Sequence, residues 1–229
     1  MNDSSEALRE HRVHAAESSR GRSSDVIYRS IEHVISENKL GGTVLDYGAG
    51  TGELTQRLLG MERFESVTAV DIMAAPGLDL DSEWIEHDLN TPLPISEGQF
   101  DVVVAAEVIE HLENPRFVAR ELFRLLKKGG SAIISTPNNE SWRSLLALLV
   151  RGNFVAFTET SYPAHITALL RQDIQRIFLE AQFAAPRFYF SDYGGLPGRP
   201  SLTWQGVSFG ILRGLRYSDN IIALARKPS

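Results

Sequence analysis

Two stretches combine residue types that can do chemistry. Residues 43–54 read TVLDYGAGTGEL: an apolar run ends on Asp46, and Gly48, Gly50 and Gly52 follow at every second position. Glycine lets a ligand touch the backbone. A loop that leaves a strand and enters a helix presents N–H groups at the positive end of the helix dipole. A nucleotide phosphate, a dinucleotide and an adenosyl sulfonium all suit such a loop. The second stretch is EVIEH, residues 107–111. If the chain turns helical after Ala106, then Glu107, Glu110 and His111 stand at i, i+3 and i+4 and share a face. Two carboxylates and an imidazole together predict a site for a hard cation such as Mg2+ or Mn2+. The alternative is that His111 acts as a base or caps the helix.

The elements that must position these residues follow from periodicity. Ser24 and Asp25 cap a predicted helix through about Asn38, with Ile27, Ile31 and Val34 on one face, and Gly41-Gly42 stops it. Strands are predicted at 43–47, 66–71, 84–87, 101–106 and 131–136. DVVVAA and SAIIST are continuous β-branched and small apolar runs, as in parallel strands buried on both faces. Asn114 and Pro115 open a helix lined by Val118, Leu122 and Leu125, with Lys127 and Lys128 at its C-terminal end and Gly129 beyond. Residues 167–183 read as an amphipathic helix with Leu169, Ile174, Ile177 and Phe178 apolar, and PRFYF and NIIALAR as two closing strands. Alternation of strand and helix implies a doubly wound α/β sheet. Residues 1–24 read as a loosely ordered polar arm, followed by one domain over 25–229.

The glycine loop can be narrowed. A phosphate-cradling nucleotidase loop needs Lys after its glycines, and none stands here. The dinucleotide fingerprint G-x-G-x-x-G needs Gly or Ala at position 53, where the chain has Glu53. A carboxylate there would repel a pyrophosphate and suit a cationic ligand. The remaining pattern, Asp46-Tyr47-Gly48-Ala49-Gly50-Thr51-Gly52, resembles motif I of the class I S-adenosylmethionine-dependent methyltransferases. Further landmarks resemble that family in order: SVTAVDIM ending at Asp71, IEHDLNTPLP with Asp88 and Leu89, FDVVVAAEVIEHL, and LKKGGSAIISTPN. The resemblance covers about residues 40–137 and is of the methyltransferase type 11/23 kind. It implies a Rossmann-like sheet of seven strands, mostly parallel, with an antiparallel C-terminal strand.

The resemblance also implies roles. Asp71 would bind the ribose hydroxyls, Asp88 the adenine amino group and Leu89 the ring, with Asp46, Gly48, Ala49, Gly50, Gly52, Ile72 and Ala106 completing the S-adenosylmethionine site. The E-x-x-E-H pattern resembles ubiquinone-pathway O-methyltransferases and small-RNA 3′-terminal 2′-O-methyltransferases, the latter adding a further His. His165, in YPAHIT, lies in about that place. The carry-over makes Glu107, Glu110, His111 and His165 metal ligands, and Glu107, His111 and His165 catalytic. A hydroxyl acceptor needs help losing its proton, so oxygen of a small molecule or glycan is the expected acceptor. An insertion at about 138–166 would act as a lid, with Trp142, Leu145, Leu146 and Phe154 as pocket wall or, equally, as a homodimer contact or ordinary packing. Residues 201–215 read as a surface helix touching lipid or another subunit.

Composition bounds the alternatives. With 23 basic and 29 acidic residues the net charge is −6, so there is no bulk footprint for nucleic acid. This weighs against the competing reading as an RNA 2′-O-methyltransferase. A catalytically silent partner subunit is the other alternative, disfavoured by the complete Asp46, Asp71 and Asp88 set. There are no cysteines, which excludes disulfides and thiolate chemistry and suits a bacterial cytoplasm. The N-terminal residues lack an apolar signal-peptide core, and no run of 18 apolar residues predicts a membrane span.

Overall fold

Apolar runs between glycines build the centre of the molecule. The computed structural model describes residues 3–18, 21, 23–77 and 82–229. In chain order the elements are α1 (Asp3–Ser18), α2 (Asp25–Glu37), β1 (Gly42–Tyr47), α3 (Glu53–Leu59), β2 (Phe64–Asp71), β3 (Glu83–Glu86), β4 (Phe100–Ala106), α4 (Pro115–Leu125), β5 (Leu126–Pro137), α5 (Trp142–Arg151), α6 (Arg171–Glu180), β6 (Arg187–Phe190), β7 (Gly195–Leu196), β8 (Arg199–Thr203), α7 (Trp204–Val207) and β9 (Asn220–Arg226). Seven strands form one sheet in the order β3-β2-β1-β4-β5-β9-β6. Strands β1 to β5 pair in parallel, and β9 inserts antiparallel between β5 and β6. This is the expected α/β, doubly wound, Rossmann-like sheet.

Both faces of the sheet are covered. Val44, Val102, Val104 and Ile133 pack against Ile31 and Ile35 of α2 and Leu54 and Leu58 of α3. Leu45, Val103, Ala105 and Ile134 face Val118, Leu122 and Leu125 of α4 and Ile174, Ile177 and Phe178 of α6. Alternate residues of one strand thus serve two cores. Connections run to opposite sides from β1 and β4, so a crevice opens at their carboxyl ends, where the strand order reverses.

Three local expectations need correction. Residues 1–24 are not a loose arm throughout: Asp3–Ser18 form α1, while residues 1, 2, 19, 20 and 22 lie outside those described. Helix α4 ends at Leu125 rather than near Gly129. Leu126 pairs with Phe100, and Lys127 reaches Asp101 at 2.7 Å, so the two lysines belong to the start of β5. Residues 201–215 are not one helix: 201–203 end strand β8, which runs directly into the one-turn helix α7, and turn and loop follow.

Candidate functional site

A cavity of about 380 Å³ occupies the crevice. The glycine loop forms one wall. At Gly48, φ is 87°, and an added Cβ would sit 2.4 Å from Val108 Cγ2; at Gly50 it would sit 2.0 Å from the Gly21 carbonyl oxygen. Glycine is required here for close packing of the loop on its own chain. The loop's donors are also used internally. Gly48 and Ala49 N–H donate to the Val70 carbonyl, Gly50 to Asp71 Oδ2, Thr51 to the Gly21 carbonyl and Gly52 to the Ala49 carbonyl, all within 3.0 Å. The five donors of residues 48–52 are therefore not free to cradle a pyrophosphate. Glu53, by contrast, does not line the cavity. It lies 3.4 Å from Arg57, so the expectation that its carboxylate meets the ligand is corrected. The spent donors carry that exclusion instead.

Three aspartates line the cavity, with Glu107 and Glu113 also at its wall. Asp46, fully buried, accepts from Thr55 Oγ1 at 2.6 Å, and its Oδ1 has no partner. Burial pushes its pKa up to about 7. An orphaned buried oxygen at this wall suits a cationic ammonium. Asp71 ends β2 and accepts from the backbone N–H groups of Gly50 and Met73. Burial lifts its carboxyl above the ordinary range against those donors. Asp88 is half-buried. Burial raises it too, but bonds from Asn90 and Arg12 outweigh that and hold it below the usual range. Leu89, Ile72, Ala49 and Ala106 supply apolar wall. Of the expected cofactor set, Gly52 alone stands back from the cavity. These residues fit an adenosyl ligand with a cationic amino-acid tail.

At the β4 exit the expected helical face does not form. Glu107 adopts φ 55°, and only Ile109–His111 make a 3-10 turn. Glu107 swings to Ser135 and Asn220, whose Oγ and Nδ2 donate to its two oxygens at 2.8 and 2.9 Å. Burial raises its pKa to about 7. Glu110 is fully buried, accepts from Thr136 Oγ1, and leaves Oε1 without a partner. Burial, and then the charge of Glu107, push its carboxyl well up. His111 and His165 meet with ring centroids 4.7 Å apart. Nδ1 of each lies 2.7 Å from a carbonyl, that of Ala164 and of Ala156 respectively. Carbonyls only accept, so each Nδ1 carries the proton and each Nε2 is bare. Burial lowers both rings, His111 to about 4, so both are neutral near pH 7. Ligand atoms of Glu110, His111 and His165 lie within 4.8 Å of one another. The structure thus brings together three of the four expected metal ligands and turns Glu107 away.

Sequence reasoning missed the rest of the enclosure. Helix α1 supplies His11, Arg12, Ala15 and Ala16, and the following segment adds Gly21, Ser23 and Tyr28. Arg12 donates to Asp88 Oδ2 at 2.5 Å and to Glu113 at 2.9 Å, and Arg9 to Glu86 at 2.8 Å. No local signal marks these partners, which lie 76 or more positions away. From the 138–166 insertion, Pro163, His165 and Ile166 reach the cavity, whereas Trp142, Leu145, Leu146 and Phe154 do not.

Comparison with known proteins agrees with this geometry. A methyltransferase-domain family model matches residues 21–185. The chain belongs to that family, and its fold is that of the class I S-adenosylmethionine-dependent methyltransferases. It is 35% identical over 121 residues to a ubiquinone biosynthesis O-methyltransferase of Pseudomonas paraeruginosa, covering 48% of this chain and 50% of the relative. It is 32% identical over 124 residues to an S-adenosylmethionine-dependent methyltransferase of Mycolicibacterium smegmatis, covering 51% and 45%. The chain thus spans about half the length of these curated relatives. The Burkholderia thailandensis 1,6-didemethyltoxoflavin-N1-methyltransferase, solved with its substrate and S-adenosylhomocysteine, shares the fold at TM-score 0.64 and 16% identity, covering 99% of this chain and 90% of that one. A methyltransferase solved with the Haloferax volcanii Trm112 activator does so at TM-score 0.64 and 15% identity, over 96% and 98%. Among the described residues, no helix is long and apolar enough to cross a membrane.

Proposed function

We propose that the chain transfers a methyl group from S-adenosylmethionine to a hydroxyl oxygen of a small molecule or glycan. The observation that carries this reading is the pair of imidazoles, His111 and His165, at the cavity wall with ring centroids 4.7 Å apart and each Nδ1 2.7 Å from a backbone carbonyl. On this reading Asp71 and Asp88 bind ribose and adenine, and Asp46 the cationic tail. The bound sulfonium supplies an electrophilic methyl group. The protein's task is then to align the acceptor and take its proton. Backbone carbonyls lock both rings in the tautomer that accepts at Nε2. Neutral imidazoles suffice, because the hydroxyl proton becomes strongly acidic only as the new C–O bond forms. Phe157 packs on the His165 ring at 5.4 Å between centroids, and Ile166 adds apolar surface beside it.

A divalent cation is a second reading, favoured by the unpartnered Glu110 Oε1 beside the two imidazoles. Glu110, His111 and His165 would hold it, each ring already oriented by a carbonyl on its far nitrogen. It would acidify the acceptor hydroxyl.

Labelled-methyl transfer across phenols, sugars, quinone precursors, amines and short RNA tests both readings. Methyl ether formation is expected. His111→Ala and His165→Ala should each lower kcat about 100-fold, with cofactor affinity within about threefold of wild type. Transfer to amines alone would refute the oxygen assignment. Activity that survives chelation and is not raised by Mg2+ or Mn2+ would remove the cation.

A further inference from the structure

Two apolar segments lie on the outside of the molecule with no part in the cavity. Helix α5 is amphipathic but turned outward: its buried residue is Ser144, while Leu149 and Val150 are 83% and 72% exposed. In the loop after α7, Phe209 is 96% and Ile211 80% exposed. Phe209 is held at φ 53°, a left-handed conformation costly for a bulky residue, and its ring projects into solvent. The two segments adjoin. Arg216 stacks 5.3 Å over the Trp142 ring, and Arg143 pairs with Asp219 at 2.7 Å. Apolar side chains exposed on two adjoining segments mark an interaction surface.

Charge selects the occupant. Residues 141–157 and 194–217 contain Arg143, Arg151, Arg199, Arg213 and Arg216 and no Asp or Glu, in a chain of net charge −6. Of the flanking carboxylates, Asp219 is engaged with Arg143, Glu140 with Arg171 at 2.9 Å and Asp192 with the Gly214 N–H at 2.7 Å, while Glu159 stands exposed beyond the first stretch. A symmetric contact with a second copy would set arginine against arginine with no acid to meet it. A surface of anionic headgroups over hydrocarbon matches both features. We propose that α5 and the 196–217 segment form an interfacial docking surface for anionic phospholipid bilayers. The apolar side chains enter the headgroup boundary and the arginines meet phosphate. The surface lies on the membrane and does not span it.

Vesicle flotation of the full chain tests this, with tryptophan emission as a second readout. Binding is expected to vesicles of phosphatidylglycerol and phosphatidylcholine in equal parts, with a blue shift, and not to phosphatidylcholine alone. Replacing Arg151 and Arg213 by Gln should weaken binding about fivefold per residue. The double change Phe209→Ser and Ile211→Ser should weaken it about tenfold or more. All four positions are exposed, and unchanged S-adenosylmethionine affinity certifies the fold of each variant. Absence of wild-type flotation, or flotation indifferent to these changes, overturns the proposal. So does concentration-dependent dimerisation that Leu149→Asp abolishes, which would assign the surface to a second copy.

Discussion

Asp46 carries a conflict between stability and binding. Its buried carboxyl has an unpartnered oxygen and a pKa of about 7, against 3.8 for the ordinary group. Between those values the folded chain holds a proton that the unfolded chain releases, so this residue's contribution to stability falls as pH rises through that window. Asp46→Asn should therefore stabilise the free protein by roughly 1–3 kcal/mol at pH 8 and by little at pH 5, read from thermal melts at the two pH values. The same carboxylate, once ionised, is the partner for a cationic tail. Wild-type affinity for S-adenosylmethionine should rise up to about tenfold per pH unit below pH 7 and level off above it. The Asn variant should bind weakly and without that slope. A variant with wild-type affinity and slope would remove Asp46 from the site. The sequence shows that an acid stands before the glycines. It does not show that Thr55 satisfies one oxygen only, because that depends on how α3 packs on β1.

Helix α1 illustrates where local pattern fails. Its apolar residues are sparse, so nothing in residues 3–18 demands a helix face. Arg9 and Arg12 fasten it to Glu86, Asp88 and Glu113, which come from the distant β3 and β4 exits. Such partly exposed pairs are individually weak and screened by salt. Arg12→Ala should release α1 from the cavity, raising both association and dissociation rates of S-adenosylmethionine about tenfold in stopped-flow measurements. About 1 M salt should do the same to wild type. Rates unchanged in both conditions would show that α1 does not gate entry. The β4 exit fails for a different reason. EVIEH has the residue spacing of a helical face, but Glu107 is drawn to Ser135 and Asn220 on neighbouring strands. The strands β1, β4 and β5 were legible because residues buried on both faces leave an unbroken apolar run, and α6 because one stripe packs into the core beside α4.

At the scale of the whole molecule, strand order places the site. The chain reverses direction across the sheet between β1 and β4, so the ends of β1, β2 and β4 converge on one crevice without long connections. Motif spacing made this part readable: Asp46, Asp71 and Asp88 fall in chain order at successive strand exits. The closing features came from elsewhere, from α1 and from Pro163, His165 and Ile166 of the insertion, whose approach is fixed by tertiary packing such as Ile166 and Thr167 N–H on the Glu110 carbonyl. The central claim is that this crevice holds an adenosyl sulfonium and not a dinucleotide. Calorimetric titration tests it most directly, with S-adenosylmethionine and NAD run in parallel on wild type and Asp71→Asn. The account predicts one-to-one binding of S-adenosylmethionine, no heat from NAD, and affinity reduced about 10- to 100-fold in the variant. Binding of NAD at comparable affinity, or S-adenosylmethionine binding indifferent to Asp71, would contradict it.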